Sequence, residues 1–249
     1  MTALEVCCAD IQSVRAAIAG GAQRIELCSA LEVGGLTPSA GLIKEARILT
    51  CRKVKLHILI RPRPGDYIYT RDEIEVMLTD VDFARKLECD GVVIGALTPE
   101  GDVDTDVVGC LAAAAGNMSV TFHRAFDLCR DPFEAMEALK QIPSIDRILT
   151  SGLAPSAPQG LDMIKELVAK APEGIAIMPG AGVNSGNAAH IAATAGVKDI
   201  HASAKTTVAS EMKFRRGDVS MGAPGADEYS RLSTSEAEVK ALVAALSDI

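Results

Sequence analysis

Short apolar runs alternate with amphipathic stretches from one end of the chain to the other. Their starts lie 20 to 36 residues apart, the length of a strand, a crossover helix and two short loops. This rhythm favours a closed parallel barrel over an open sheet, since the chain has no GxGxxG turn. We therefore predict a single α/β domain over 1–249, a (β/α)8 TIM barrel. Its predicted strands are 4–8, 24–28, 55–61, 91–96, 119–123, 146–150, 175–179 and 199–203.

Start and stop signals mark several of the helices between these strands. Thr70 and Glu73 have the spacing of a capping box, and Ser233 and Glu236 repeat it before the last helix. Gly21 is placed to end the first helix in a left-handed conformation. These signals predict helices that begin just after 70 and 233.

Segment 206–232 interrupts the alternation of strands and helices. It follows the eighth predicted strand and is rich in glycine, serine and charged residues. Connections of this length usually form lids, interfaces or mobile segments. We expect a long irregular segment here.

Polar residues recur at alternate positions of the predicted strands. Glu5 shares one face with Cys7, and Glu26 shares one with Cys28, while the residues between them are apolar. The apolar faces are expected to pack under helices, so the polar faces point into the barrel. The interior would then hold five candidate catalytic residues of types that bind anions or move protons. They are Glu5, Glu26, Arg61, His123 and His201.

A structural alternative is open for this set. Buried charges cost several kcal/mol each unless they are paired. The same residues could form satisfied ion pairs, such as Glu26 with Arg61, that only fill the barrel. Clusters of buried charge nevertheless mark functional sites often enough to favour a site.

Composition narrows the class of protein. A net charge of −8 argues against nucleic acid or an anionic membrane surface as a partner. No secretory signal and no membrane-spanning apolar run are evident. The seven cysteines contain no CxxC, which is typical of reduced thiols and predicts a cytoplasmic protein.

Cys7 and Cys28 suggest a site for a soft metal. Both are expected at the ends of adjacent strands with inward register, and neighbouring strands lie about 4.8 Å apart. Two thiolates favour Cu(I) above other ions. The alternative is that each cysteine is small apolar filler in the core.

Turns after the strands suggest an anion site. Gly180, Gly182 and Asn184 follow the seventh strand, where many barrels bind phosphate, although a simple tight turn explains them equally well. Arg61 and Asp66 could bind an anionic substrate or form an ion pair with each other. The candidate ligand-binding residues are Arg61, Asp66, Ser151, Gly180, Gly182, Asn184 and Ser203.

Long collinear motifs then identify a resemblance. LEVCCAD at 4–10, GGLTPSAG at 34–41, LIRPRPGDYIYT at 59–70, TFHRAFD at 121–127 and MPGAGV at 178–183 resemble the CutC family, named for copper homeostasis. Pro64 departs from the glycine expected there and stiffens its loop. The resemblance implies a (β/α)8 barrel and a cytoplasmic homo-oligomer, a dimer or tetramer. It also implies a role in copper handling, with Cys7 and Cys28 at the positions suggested to bind Cu(I).

Two functions follow from these observations, with no organic cofactor implied by either. The first is a Cu(I)-binding homeostasis protein, and the second is an enzyme acting on a small anionic metabolite, phosphorylated or sugar-like. A third, structural interpretation is an oligomeric scaffold with segment 206–232 as its interface. It leaves the inward charges without an explanation.

Overall fold

Eight parallel strands surround the centre of the molecule, and helices cover them. The computed structural model describes residues 2–219, 221, 227–247 and 249. The strands are β1 (Ala3–Cys8), β2 (Arg24–Leu27), β3 (Lys55–Leu59), β4 (Gly91–Ile94), β5 (Ser119–Phe122), β6 (Ile145–Thr150), β7 (Ala176–Pro179) and β8 (Asp199–Ala202). The helices are α1 (Ile11–Gly20), α2 (Ala40–Thr50), α3 (Arg71–Lys86), α4 (Thr105–Ala115), α5 (Pro132–Lys140), α6 (Leu161–Lys170), α7 (Ala188–Ala195) and α8 (Glu236–Ser247).

The strands form one nearly closed barrel, which confirms the predicted fold class. They are hydrogen-bonded in the order β7-β6-β5-β4-β3-β2-β1-β8, and β7 and β8 lie next to each other at the closing seam. Every pairing in this sheet is parallel, as helical crossovers require. All carboxyl ends of the strands therefore meet at one face.

Apolar and polar side chains lie on opposite faces of β1 and β2, as alternation in the sequence predicts. Val6, Cys8, Ile25 and Leu27 are fully buried in the main core, between the sheet and the helices. Glu5 and Glu26 are buried on the opposite, inner side of the same strands. The barrel interior is thus the place where charge accumulates.

Helix signals in the sequence are partly correct. Thr70 and Glu73 form the predicted capping box at the start of α3, and Gly21 ends α1 with a φ of 92°. The box predicted at Ser233 and Glu236 is wrong. Ser235 instead accepts a hydrogen bond from the Glu238 N–H, and Ser233 is a buried strand residue bonded to Ser13.

Segment 206–232 is more regular than expected. Strands β9 (Lys205–Ala209) and β10 (Ser230–Thr234) pair as an antiparallel ribbon, so the prediction of an irregular segment is wrong at both its ends. Most of β9 is exposed, so its sequence lacks the alternation of apolar and polar residues that a strand with one buried face shows. Residues 220 and 222–226 lie outside the described part of the chain.

The helices of the described residues are all short or polar by the standard of a bilayer. None of them is long and apolar enough to cross a membrane.

Candidate functional site

A cavity of about 740 Å³ opens at the carboxyl ends of the strands. Residues from β1, β2 and β8, and from the turns after β3 and β5, line it. This volume falls within the range of small-molecule sites, about 300 to 1,000 Å³. Of the five candidate catalytic residues, four line the cavity, and Glu5 lies beneath it. The four are Glu26, Arg61, His123 and His201.

An ionic cluster lies inside the barrel beneath this cavity. Arg24 pairs with Glu5 and donates from Nη2 to Asp199 Oδ1 at 2.7 Å. Arg24 is 8% exposed and Glu5 is fully buried. The suggested pair of Glu26 with Arg61 does not form, since Arg24 takes the role of interior cation. Alternation could have found Arg24, because it shares the inward face of Glu26.

Glu5 positions the ring of His201. The His201 Nδ1 to Glu5 Oε1 distance is 2.7 Å, and the two residues are paired neighbours on β1 and β8. Burial alone raises the pKa of Glu5, but the charges of Arg24 and His201 outweigh it and hold this pKa below its ordinary value. Burial lowers the pKa of His201, but Glu26, Cys7 and Glu5 together raise it well above 6.5. The dyad is therefore an ionised carboxylate with a protonated imidazole.

Two thiols and a second carboxylate adjoin this dyad. The Sγ atoms of Cys7 and Cys28 are 3.5 Å apart, and Cys7 donates to Glu26 Oε1 at 3.4 Å. The hydrogen bond with Cys28 and burial raise the pKa of the Cys7 thiol well above 9.0. Burial also raises the pKa of Glu26, whose Oε2 has no hydrogen-bond partner within the described part of the chain.

These groups can converge on a metal ion. Ligand atoms of Cys7, Glu26 and His201 all lie within 4.8 Å of one another, and all three residues are buried. Cys28 is fully buried behind Cys7 and does not line the cavity. The convergent group offers one sulfur, one carboxylate and one imidazole, and the Cys28 sulfur adjoins it through Cys7. Sulfur and imidazole ligands suit a soft ion, and each thiol must lose its proton to bind it.

A second group lines the cavity around Arg61. The Arg61 guanidinium lies 5.0 Å from the ring centre of Tyr67, whose ring is 4.9 Å from that of His123. Burial, and then the charge of Arg61, lowers the pKa of His123 to about 3. His123 is therefore a neutral imidazole at physiological pH.

The glycine turn after β7 reaches the cavity through Gly182 and Asn184. Gly182 has a φ of 73°, which favours glycine. Gly180 lies deeper and has no room for a side chain, because a Cβ would stand 2.6 Å from Leu149. Ser203, after β8, also lines the cavity.

Asp66 and Ser151 lie outside the cavity lining. Asp66 is exposed and pairs with Arg63 at 3.0 Å. Ser151 is buried and donates from Oγ to Asp127 at 3.0 Å. Asp127, which the sequence reading did not single out, also accepts from the backbone N–H groups of Ser151 and Leu153, so it fixes the turn after β6.

Comparison with known proteins gives a consistent result across the chain. A sequence model of the CutC family matches residues 2–206. A family protein CutC of Chromobacterium violaceum is 49% identical over 243 residues, covering 98% of this chain and 97% of that protein. A family protein CutC of Vibrio parahaemolyticus is 45% identical over 248 residues, with 99% of each chain covered.

Solved structures agree with the sequence comparison. A candidate copper homeostasis protein CutC of Streptococcus agalactiae superposes with a TM-score of 0.78 at 33% identity, covering 82% of this chain and 99% of that one. Thiamine phosphate pyrophosphorylase of Pyrococcus furiosus superposes with a TM-score of 0.60 at 20% identity, covering 99% and 96%. The second likeness shows only a shared barrel fold.

Proposed function

Because this chain belongs to the CutC family, we propose that it takes part in copper homeostasis by binding Cu(I) at Cys7 and Cys28. The observation that carries the proposal is the 3.5 Å separation of two free sulfurs, that of Cys7 in the cavity lining and that of Cys28 directly behind it. Thiolates are the ligands that Cu(I) prefers, and a small outward shift of one sulfur admits an ion between them. His201 lies within ligand range of Cys7 and would supply a third donor after its ring loses the proton it carries in the metal-free site.

Anaerobic titration with Cu(I) against a competing chelator tests this proposal. We expect one tight site in the parent chain and at least a tenfold loss of affinity in Cys7→Ser and in Cys28→Ser. Cys89→Ser is the matched control, because Cys89 is also a buried free thiol but is not part of the Cys7 cluster. A double variant of Cys7 and Cys28 that binds Cu(I) as tightly as the parent would refute the proposal.

The size of the cavity supports a second candidate function. A space of about 740 Å³ is far larger than one metal ion needs. We propose as the alternative that the chain is an enzyme acting on a small anionic metabolite, phosphorylated or sugar-like. Glu26 and His201 would exchange protons with it, since neighbouring groups with opposite protonation preferences form acid–base pairs.

Native purification followed by mass spectrometry tests the second candidate. We expect an organic acid to be released on denaturation, and Glu26→Gln to retain more of it because turnover stops while the amide keeps the shape of the site. Thr79→Val, on the exposed side of α3, is a control that removes a polar group far from the cavity lining. Protein that never carries or converts an organic molecule argues against catalysis.

Cellular setting and assembly complete the proposal. We propose a cytoplasmic homo-oligomer, a dimer or tetramer, that uses neither nucleic acid nor membrane as a partner. Seven free cysteines and a net charge of −8 support this setting. Light scattering coupled to size exclusion measures the oligomer number, and a monomeric mass at micromolar concentration would contradict the assembly.

A further inference from the structure

The hydrogen bonds of the Arg61 side chain in the described part of the chain all go to backbone carbonyl groups. Its Nη1 donates to the carbonyl oxygens of Val33 and Gly35 at 2.9 and 3.0 Å, and its Nη2 donates to that of Gly65 at 2.9 Å. These bonds tie two separate loops to the end of β3. They fix the orientation of the guanidinium without neutralising its charge.

The positive charge of Arg61 has no counterpart in the described part of the chain. No carboxylate there forms an ion pair with it, and its side chain is among the buried charged groups, with 5% exposure. Its Nε–H is shielded from water and meets no hydrogen-bond acceptor in the residues that the structure describes. An unpaired buried charge is costly, so this position favours an anion that arrives from outside. Nε and the second N–H of Nη2 are the edge that binds an oxyanion side-on.

His123 presents a second donor on the same wall. Its Nδ1 accepts a hydrogen bond from the Ala125 N–H at 3.1 Å, which places the proton of the neutral ring on Nε2. Nε2 has no hydrogen-bond partner among the described residues, and the residue is 5% exposed where it lines the cavity. Tyr67 contacts both groups, at 4.9 Å from the His123 ring and 5.0 Å from Arg61, and so couples their positions.

We propose that Arg61 and His123 form an oxyanion-binding site that holds the carboxylate or phosphate group of a small organic molecule in the cavity. This inference rests on the second proposed function and assigns its anchor. Arg61 would donate from Nε and Nη2 and His123 from Nε2, after a small shift of the surrounding side chains opens the two shielded atoms to the cavity. The rest of the molecule then occupies the cavity that Glu26 and His201 also line. His123 is here a binding residue and takes no part in proton transfer.

Calorimetric titration with inorganic phosphate, and separately with glycolate, tests the site. We expect binding of one or both probes by the parent chain, and the probe that binds identifies the oxyanion. Affinity is expected to fall at least tenfold in His123→Phe, which removes the donor, and in Arg61→Gln. Arg63→Gln is the matched control, because it removes a nearby arginine whose ion pairs are with Asp66 and Glu73 outside the cavity. The proposal is overturned if neither probe binds at 50-fold the protein concentration and above. It is also overturned if both variants bind the probe with unchanged affinity.

Arg61→Gln also removes three loop bonds, so a second measurement keeps the test independent of its folding. In parent protein labelled with ¹⁵N-histidine, the Nε2 resonance of His123 should shift on addition of the probe that binds. A heat of binding without that shift places the anion elsewhere and overturns the proposal.

The outcomes also separate this site from the two proposed functions. Anion binding that survives in the Cys7→Ser Cys28→Ser variant supports a site distinct from the metal ligands, and its loss there overturns it. Anion binding without any copurifying or converted metabolite leaves the anchor standing while the enzyme proposal fails. An anionic metabolite that copurifies equally with the parent, His123→Phe and Arg61→Gln does the reverse.

Discussion

Three buried histidines of this barrel differ in protonation because their neighbours differ. His201 donates to the ionised Glu5 and keeps its proton, whereas burial favours the neutral form of His57 and lowers its pKa to about 4. The same burial keeps His123 neutral beside Arg61. Residue type alone therefore does not assign a role, since one imidazole serves as a proton donor and another as a neutral hydrogen-bond donor.

His57 should make the folded protein less stable as the pH falls. Its folded pKa of about 4 lies below the ordinary 6.5, so the unfolded chain binds a proton between these values that the folded chain does not. Unfolding is then favoured as pH falls. We expect His57→Gln to reduce the slope of unfolding free energy against pH by up to about 1.4 kcal/mol per pH unit in this window.

Urea denaturation at a series of pH values between 6.5 and 4 measures this slope. His190→Gln is the control, because it removes an exposed imidazole on α7 and leaves the barrel interior untouched. An unaltered slope in His57→Gln would contradict the assignment. His201 contributes with the opposite sign, since its stabilisation is complete below pH 6.5 and is lost as pH rises through its higher folded pKa.

At the scale of elements, β4 makes room for the rings on its two neighbours. A Cβ on Gly91 would stand 2.6 Å from the ring of His57 on β3, and one on Gly95 would stand 2.4 Å from the ring of His123 after β5. Contacts this short do not occur for real side chains. Glycine at Gly91 in β4 and at Gly95, the residue after that strand, is therefore a steric requirement of the polar interior.

Gly95→Ala should displace His123 and destabilise the fold. Overpacking of this kind typically costs about 1–3 kcal/mol. Gly109→Ala in α4 is the matched control, because a Cβ there meets nothing within 4 Å. Helix propensity predicts that the control gains up to about 1 kcal/mol. Thermal and urea unfolding of both variants decides the point, and equal stability of Gly95→Ala and the parent would show that the ring moves away without cost.

At the scale of the whole molecule, a buried ionic cluster joins strands that are distant in sequence. Arg24 on β2 bridges Glu5 on β1 and Asp199 on β8, and Arg147 on β6 approaches Asp199 at 3.6 Å across the closing seam. The cluster thus lies across the seam of the barrel, where β7 and β8 are adjacent but are not paired by backbone hydrogen bonds in the described structure. It also fixes Glu5, and through it His201, at the base of the cavity.

Arg24→Met should destabilise the molecule by about 3–5 kcal/mol, because it removes the buried guanidinium that pairs with both Glu5 and Asp199. Arg85→Met is the control, since Arg85 pairs with Asp82 on the surface and solvent screens that pair. Denaturant unfolding compares the two variants. Partial recovery in Arg24→Met with Glu5→Gln would locate the cost in the stranded charge, whereas full stability of Arg24→Met would contradict the role of the cluster.

The amino-acid sequence by itself determined the barrel, the family and the inward faces of the strands. Each follows from local order: strands and helices from hydrophobic period, the family from collinear motifs, and inward residues such as Glu26 from alternation along a strand. The predicted family is confirmed by comparison, and the barrel by structure.

Only the tertiary structure decided which inward groups meet. Arg24 rather than Arg61 became the interior cation, Cys28 came to lie behind Cys7, and Asp66 turned to the surface. These outcomes depend on depth along the strands, on closure of β8 against β1 and on loop conformation. Sequence period encodes none of the three, because it records the face of a residue but not its partner across the barrel.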